Sequence, residues 1–274
     1  PESTKLLKGL GYEVETKYDN EIGWFIWGTK SSQFINSNEI IRNPSAWFPN
    51  KECIEVDISS GKTAEGIDAV FCISLKAHPR RESFERAANS AKQGFQFWEA
   101  LDARGLNRDE IEQTVSRPIV WDMPNNRDAL TRPTEVGLME TSIQLWQHCL
   151  DNHLEYCVVF EDDANIHKKI KFEIPKDADI VFLNDRSFRR KDGVVTGAIC
   201  GADAYLLTRS GLKKMMKIYQ EFWMPIDLQW QPQIKGLQEC GHIHSIYYNR
   251  DLPLLHGYAL PPLATHGTGP STIR

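Results

Sequence analysis

The stretch Cys157-Val158-Val159-Phe160-Glu161-Asp162-Asp163 decides the reading of this chain. Its apolar first part, with two β-branched residues and a phenylalanine, predicts a short buried strand. Three carboxylates follow without a break. Acids at the end of such a strand need partners, because a charge near a low-dielectric interior is costly when alone. A hard divalent cation, Mg²⁺ or Mn²⁺, is the partner that clustered oxygen ligands most readily share. In an open α/β sheet, ligands gather at the carboxyl ends of the strands, where this triplet falls. A solvated acidic turn is the competing reading of the triplet taken alone.

Working outward, the chain alternates strands with helices from residue 69 onward. Ala69–Leu75 reads as a buried strand, followed by a basic turn from Lys76 to Arg81 and a helix to about Gln93. Phe95–Ala100 predicts a second strand, and Arg104–Asn126 a helix with loops. In Glu135–Asn152, Val136, Met139, Ile143, Trp146 and Leu150 recur at helical spacing and mark a buried face. After the acid-tipped strand come strands at Asp179–Asn184 and Tyr205–Thr208, then a helix around Leu212–Phe222 with Ser210 as a cap. This alternation predicts an α/β fold with a mostly parallel, doubly wound sheet.

The flanks have a different texture. Residues 1–68 mix aromatic and polar residues irregularly, as in Gly23-Trp24-Phe25-Ile26-Trp27-Gly28, and read as an accessory segment with a few short strands. The catalytic domain is expected over residues 69–250, and residues 251–274, rich in Pro and Gly, read as a tail. A chain of 274 residues has room for one large domain or two small ones. Its 41% apolar and 25% charged residues argue against disorder, and its net charge of −5 argues against a nucleic-acid partner. No apolar stretch is long enough to span a bilayer, so no integral membrane segment is expected. The six cysteines show no CxxC spacing, and Cys72, Cys157 and Cys200 fall in apolar runs, which points to a reduced compartment. The chain begins Pro1-Glu2-Ser3-Thr4-Lys5, without a signal-like pattern or an initiator Met, and so reads as a processed terminus or an excised piece. The expected location is cytoplasmic, with a membrane-peripheral one left open.

Lys76, His78, Arg80 and Arg81 cluster beyond the first strand, close to the next helix start. That is an electrostatic setting for a phosphorylated ligand, although such a run also suits a solvated turn. No Walker loop and no G-x-G-x-x-G occurs. A basic turn, an acidic strand tip and an α/β sheet together suggest a metal-bridged diphosphate. Hydrolases, nucleotidyltransferases and glycosyltransferases all use that arrangement.

Several ordered segments narrow the class. Phe71-Cys72-Ile73-Ser74-Leu75 with Pro79-Arg80-Arg81 and Phe84 is similar to the first strand and Arg-rich turn of glycosyltransferase family 25, the group of lipooligosaccharide and collagen galactosyltransferases. Phe97-Trp98-Glu99-Ala100-Leu101-Asp102-Ala103 resembles the family's A-x-D-G segment, with Ala103 in place of Gly. Glu135-Val136-Gly137 through Trp146 resembles its E-I-G helix, Phe160–Ala164 its L-E-D-D-V motif and Asp179–Leu183 the next strand. Ala204–Gly211 is similar to its A-Y-L-I-S segment, and Pro225-Ile226-Asp227 to its P-V-D. The resemblance runs from about residue 69 to 230. Thr141-Ser142 stands where the family carries Ser-His, and Glu140 where it is apolar.

The resemblance implies a glycosyltransferase-A-like nucleotide-binding fold and inverting, metal-dependent transfer from a UDP-sugar, most often UDP-galactose, to a glycan or other hydroxyl-bearing acceptor. It implies Mn²⁺ or Mg²⁺ on Glu161 and Asp163, and donor contacts from Ser74, Leu75, Lys76, Arg80, Arg81, Asp102 and Asp162. Asp227 is the expected general base, with Asp185 and Asp203 in reserve and a helix cap as its alternative role. His256 or His266 is a candidate further ligand. A domain that binds a nucleotide sugar without turnover, and a metal-dependent phosphodiesterase or nucleotidyltransferase, remain as other readings.

Overall fold

The computed structural model describes residues 12–19, 23–30, 48, 51–121, 129–184, 186–189, 193–199, 201–241 and 246–267. The chain divides into two compact units, Pro1–Arg42 and Asn43–Arg274. In the first, strands β1 (Tyr12–Asp19) and β2 (Gly23–Lys30) form an antiparallel pair whose register runs from Tyr12 opposite Lys30 to Asp19 opposite Gly23.

The second unit opens with β3 (Cys53–Asp57), β4 (Val70–Ser74), helix α1 (Arg80–Ala91) and β5 (Gln96–Glu99). Helices α2 (Arg108–Thr114) and α3 (Pro133–Asp151) lead to β6 (Tyr156–Glu161), β7 (Ala164–Ile166), β8 (Lys171–Pro175) and β9 (Ile180–Phe182). A hairpin, β10 (Ser187–Arg189) and β11 (Val195–Ile199), precedes β12 (Ala204–Thr208), α4 (Arg209–Ile218), α5 (Ile226–Gln229) and α6 (Lys235–Glu239). The last strands are β13 (Gly257–Ala259) and β14 (Ala264–His266).

Six strands form the central sheet in the order β13-β9-β12-β6-β4-β5. Five of them run the same way, whereas β12 is antiparallel to both β6 and β9. The expected alternation is therefore interrupted once. Between β9 and β12 the chain returns through a β-hairpin instead of a crossover helix, and such a return reverses the strand. The α1 crossover joins β4 to its parallel neighbour β5, and the chain then comes back to place β6 on the other side of β4. The order reverses between β4 and β6, which opens a crevice at their carboxyl ends.

The apolar runs behave as their composition predicts. Every residue of β4 is buried, as are Cys157–Phe160 of β6. Phe84 on α1 packs edge-on against Phe95 at 4.9 Å and tilts onto Phe160 at 5.7 Å, which ties the crossover helix to the sheet. Helix α3 begins two residues before the expected Glu135, because Pro133 suits a first helical turn and the Glu135 carboxylate accepts the N–H groups of Thr131 and Arg132 at 3.1 Å each.

Parts of the segments whose texture set them apart, β3 and residues 251–267, belong to the larger unit. Strand β3 pairs antiparallel with β8. Residues 251–267, tail-like in composition, supply the edge strand β13 alongside β9, and β14 pairs with β7 just beyond the acid triplet. Cys72 and Cys157 are fully buried in strands, and Cys200 lies outside the described residues. Among the described residues no helix is long and apolar enough to cross a membrane.

One glycine governs how α3 meets the sheet. A Cβ on Gly137 would stand 2.9 Å from the Ala103 Cβ and 3.1 Å from the Leu101 carbonyl oxygen. Beside it, Thr141 Oγ1 accepts the Leu101 N–H at 2.9 Å and donates to the Gly137 carbonyl at 2.7 Å. Gly137→Val is therefore expected to destabilise the domain by about 1–3 kcal/mol through overpacking. Its urea midpoint should fall, and a midpoint equal to the parent's would show that the 101–103 loop yields freely.

Candidate active site

The carboxyl ends of β4, β5 and β6 open onto a cleft of about 610 Å³ including its mouth. Ser74 and Leu75 line it from the end of β4, Asp102 from the segment after β5, Thr134 and Leu138 from α3, and Glu161–Asp163 from the end of β6. Ser74 Oγ donates to Asp162 Oδ2 at 2.6 Å, so a side chain bridges the two strand ends exactly where the order reverses. Arg80, in the first turn of α1, places one guanidinium nitrogen 3.5 Å from Asp162 Oδ1 and 3.3 Å from Asp163 Oδ2.

Two histidines flank the acids. His78 Nδ1 lies 3.5 Å from Asp162, and His266 Nδ1, on β14, lies 3.8 Å from Asp163. His256 is elsewhere: its ring is 3.4 Å from Asp177, and its carbonyl accepts the Asp179 N–H at the amino end of β9. Asp163 Oδ1 is buried and accepts no hydrogen bond. The strand ends at Glu161, Asp162 and Asp163 form a turn, and all three acids line the cleft.

The reversed strand brings more acids to the same end of the sheet. Glu161 N–H donates to the Asp203 carbonyl at 3.0 Å, at the start of β12. The Asp203 carboxylate, only 2% exposed, accepts from Asn184 Nδ2 at 3.0 Å and lies 3.9 Å from Arg186, while its Oδ2 has no hydrogen-bond partner. Asp227 Oδ2, from the first turn of α5, accepts the Gly201 N–H at 2.8 Å. Gly201 has φ +103°, and a Cβ there would lie 2.4 Å from Arg186 and 2.6 Å from Asp203, so this turn requires glycine.

The electrostatics follow from this crowding. Burial, reinforced by Asp163, Asp203, Asp227 and Asp162, pushes the Glu161 carboxyl well above the usual range. Burial also raises Asp203, against the pull of Arg186 and Asn184. Asp227 is raised by burial, against the Gly201 N–H that favours its charged form. A partly buried carboxylate of raised affinity for protons is the kind of group that can take one from a substrate hydroxyl.

The remaining expected residues take different positions. Leu75 lines the cleft, whereas Lys76 is exposed on the turn and does not. Arg81 turns away from the cleft: its guanidinium donates to the Ser74 carbonyl at 3.0 Å and lies 4.7 Å from the centre of the Phe97 ring, holding the ends of β4 and β5 together. Asp102 stands at the rim, where two hydrogen bonds from Arg104, at 2.8 and 2.7 Å, hold its carboxyl below the usual range. Asp185 lies outside the described residues. The departures in α3 are structural. Glu140 accepts from the Ser116 backbone N–H at 3.1 Å and hydroxyl at 3.0 Å, and Ser142 Oγ donates to the Leu138 carbonyl at 2.9 Å. Sequence reasoning gave no signal for Arg186, Asn184 or Gly201 as a group, because no motif joins them.

An open α/β sheet with an acid-lined crevice at the point where its strand order reverses defines a ligand-handling enzyme domain. Residues 67–192 match the family model of glycosyltransferase family 25 (LPS biosynthesis protein). The segment belongs to that family, and the domain is a glycosyltransferase. The matched span holds Ser74, Arg80 and Glu161–Asp163, while Asp203 and Asp227 come from beyond it.

Proposed function

We propose that this domain transfers a sugar, with inversion, from a nucleoside-diphosphate sugar to a hydroxyl of a glycan acceptor, with UDP-galactose as the first donor to test. The observation that carries the reading is the cleft between the ends of β4 and β6, where Arg80 faces two carboxylates and a third acid sits behind them. The strand arrangement suits a glycosyltransferase-A-like nucleotide-binding domain, with one reversed strand beside the acid-tipped one.

Mn²⁺ or Mg²⁺ is proposed on Asp163 and Glu161, with Asp162 beside them. The donor set fits: Asp163 keeps a buried oxygen with no hydrogen bond, and hard oxygens are what these ions take. Among the described residues no three such side chains form a closed cage. An ion of this kind is commonly held by one or two carboxylates together with substrate phosphates, so a closed cage is not required. When bound, the ion supplies positive charge to the departing diphosphate. Arg80 offers a second positive charge to the same group, and the Ser74–Asp162 bond keeps the two strand ends in register around it. Asp227 takes the acceptor hydroxyl's proton, oriented by the Gly201 N–H. Leu75 and Asp102 border the volume open to the donor.

Incubating the protein with a panel of UDP-sugars, with Mn²⁺, with Mg²⁺ and with chelator, and following UDP release tests this reading. Release from one donor, dependent on the ion, is the expected result. Equal release with chelator present would remove the metal from the proposal, and no release or binding with any nucleotide sugar would remove the donor class.

A further inference from the structure

A second cavity, of about 1200 Å³ including its mouth, lies on the other side of α5 from the acid centre. Asp227 and Gln229 stand two residues apart on this short helix, and their partners show that they face opposite ways. Asp227 bonds to Gly201, whereas Gln229 bonds to the α4 end and the segment after it. The cavity lies at the catalytic end of the sheet, because α4 starts at the far end of β12 and runs back towards the acids.

Two aromatic side chains line the cavity, Trp223 and Tyr247, with ring centres 5.7 Å apart and planes at 63°. A buried glutamine bonds the backbone at Trp223, and another bonds the backbone two residues beyond Tyr247. Gln229 Oε1 accepts the Trp223 N–H at 3.1 Å, and its Nε2 donates to the Glu221 carbonyl at 2.7 Å. Gln233, with its amide oriented to satisfy both groups, donates to the Asn249 carbonyl at 3.2 Å and accepts the Asn249 N–H at 3.0 Å, two residues from Tyr247. Two buried amides thus brace the backbone segments that carry the aromatic pair, which preorganises the cavity wall. Gln220, Lys217 and Asn249 add exposed polar groups at the rim. Among the described residues, the large apolar side chains left exposed are Ile246 and Tyr248, at 74% and 37%, on either side of Tyr247.

We infer that this cavity is a saccharide subsite that holds sugar units of the acceptor away from the hydroxyl that reacts. A pyranose ring has an apolar C–H face and a polar edge, which match aromatic rings flanked by amides and a lysine. The inference rests on the acceptor being a glycan, as proposed above, and on Asp227 marking where its reactive hydroxyl arrives. It adds a site separate from the acid cleft, and apart from Pro118 and Val120 its lining residues lie outside the matched span.

The test is calorimetric titration of the full chain with methyl glycosides of galactose and glucose and with their di- and trisaccharides, alongside UDP titrated on the same preparation. Affinity is expected to rise roughly tenfold from one ring to three. Trp223→Ala and Tyr247→Ala should each abolish that gain, Trp223→Phe and Tyr247→Phe should keep most of it, and Gln220→Ala on the exposed rim should weaken it about threefold. UDP affinity is the reference for the donor cleft. No saturable saccharide binding beside intact UDP binding overturns this inference and leaves the donor reading standing. Loss of UDP binding in the parent chain instead overturns the donor reading. Saccharide binding that the alanine variants retain, or a dimer in solution that both variants dissolve, also overturns the inference, the latter by giving the cavity to a second copy of the chain.

Discussion

Asp163→Ala is expected to lower sugar transfer by roughly 10³-fold or more, the scale of several kcal/mol of charge stabilisation removed from a departing diphosphate. The fold should survive. Asp163 lies in a turn after β6, its Oδ1 has no hydrogen-bond partner, and its neighbours in the triplet carry the same charge. Removing it relieves repulsion on Glu161 but gives up the contact with Arg80, so thermal stability without added metal should stay near the parent's. Paramagnetic Mn²⁺ titration beside the turnover assay separates the possibilities. Retained metal-dependent transfer would show that Asp163 is not a ligand, and a collapsed fold would show that its contact with Arg80 is structural.

Asp227→Asn should leave UDP and metal affinity near the parent values while transfer falls by roughly 10² to 10⁴, the usual scale for losing an acid–base group. The amide still accepts the Gly201 N–H through its oxygen but cannot take a proton. The pH profile sharpens the test. Burial raises the Asp227 carboxyl above its ordinary range, and a base works only when deprotonated, so parent activity should fall as pH drops through that raised value. The residual activity of the variant should lack this limb. The stability sign runs the other way. A carboxyl whose folded affinity for protons exceeds its unfolded one destabilises the fold as pH rises through the folded value, so the amide should gain stability over the parent at neutral pH. A variant that loses donor binding and rate together would make Asp227 a donor ligand, and unchanged transfer would shift the proton acceptor to another acid, Asp203 first.

These two residues mark how far local reading carries. Asp163 was legible because strand and acids are adjacent in the chain, and a buried apolar run ending in carboxylates carries its own physical tension. The same locality made β4, α1, α3 and the matched turn at Arg80 readable. Asp227 was reached only through a resemblance, since nothing in Pro225-Ile226-Asp227 shows what it faces.

Local sequence carried the strand-helix alternation over the core, the acid triplet at a strand's carboxyl end and the basic turn after the first strand. Tertiary structure alone decided the rest. It reversed β12, so that Asp203 arrives beside Glu161 instead of at the far end of the sheet. It turned Arg81 onto Phe97 while its neighbour Arg80 reached the acids, because successive residues in a helical turn point about 100° apart. It drew residues 257–266 into strands that put His266, and not His256, next to Asp163. The physical reason is common to all three. Periodicity records which face of an element is buried, but which elements meet at a crevice is set by strand pairings between residues far apart in the chain, and no local pattern encodes those.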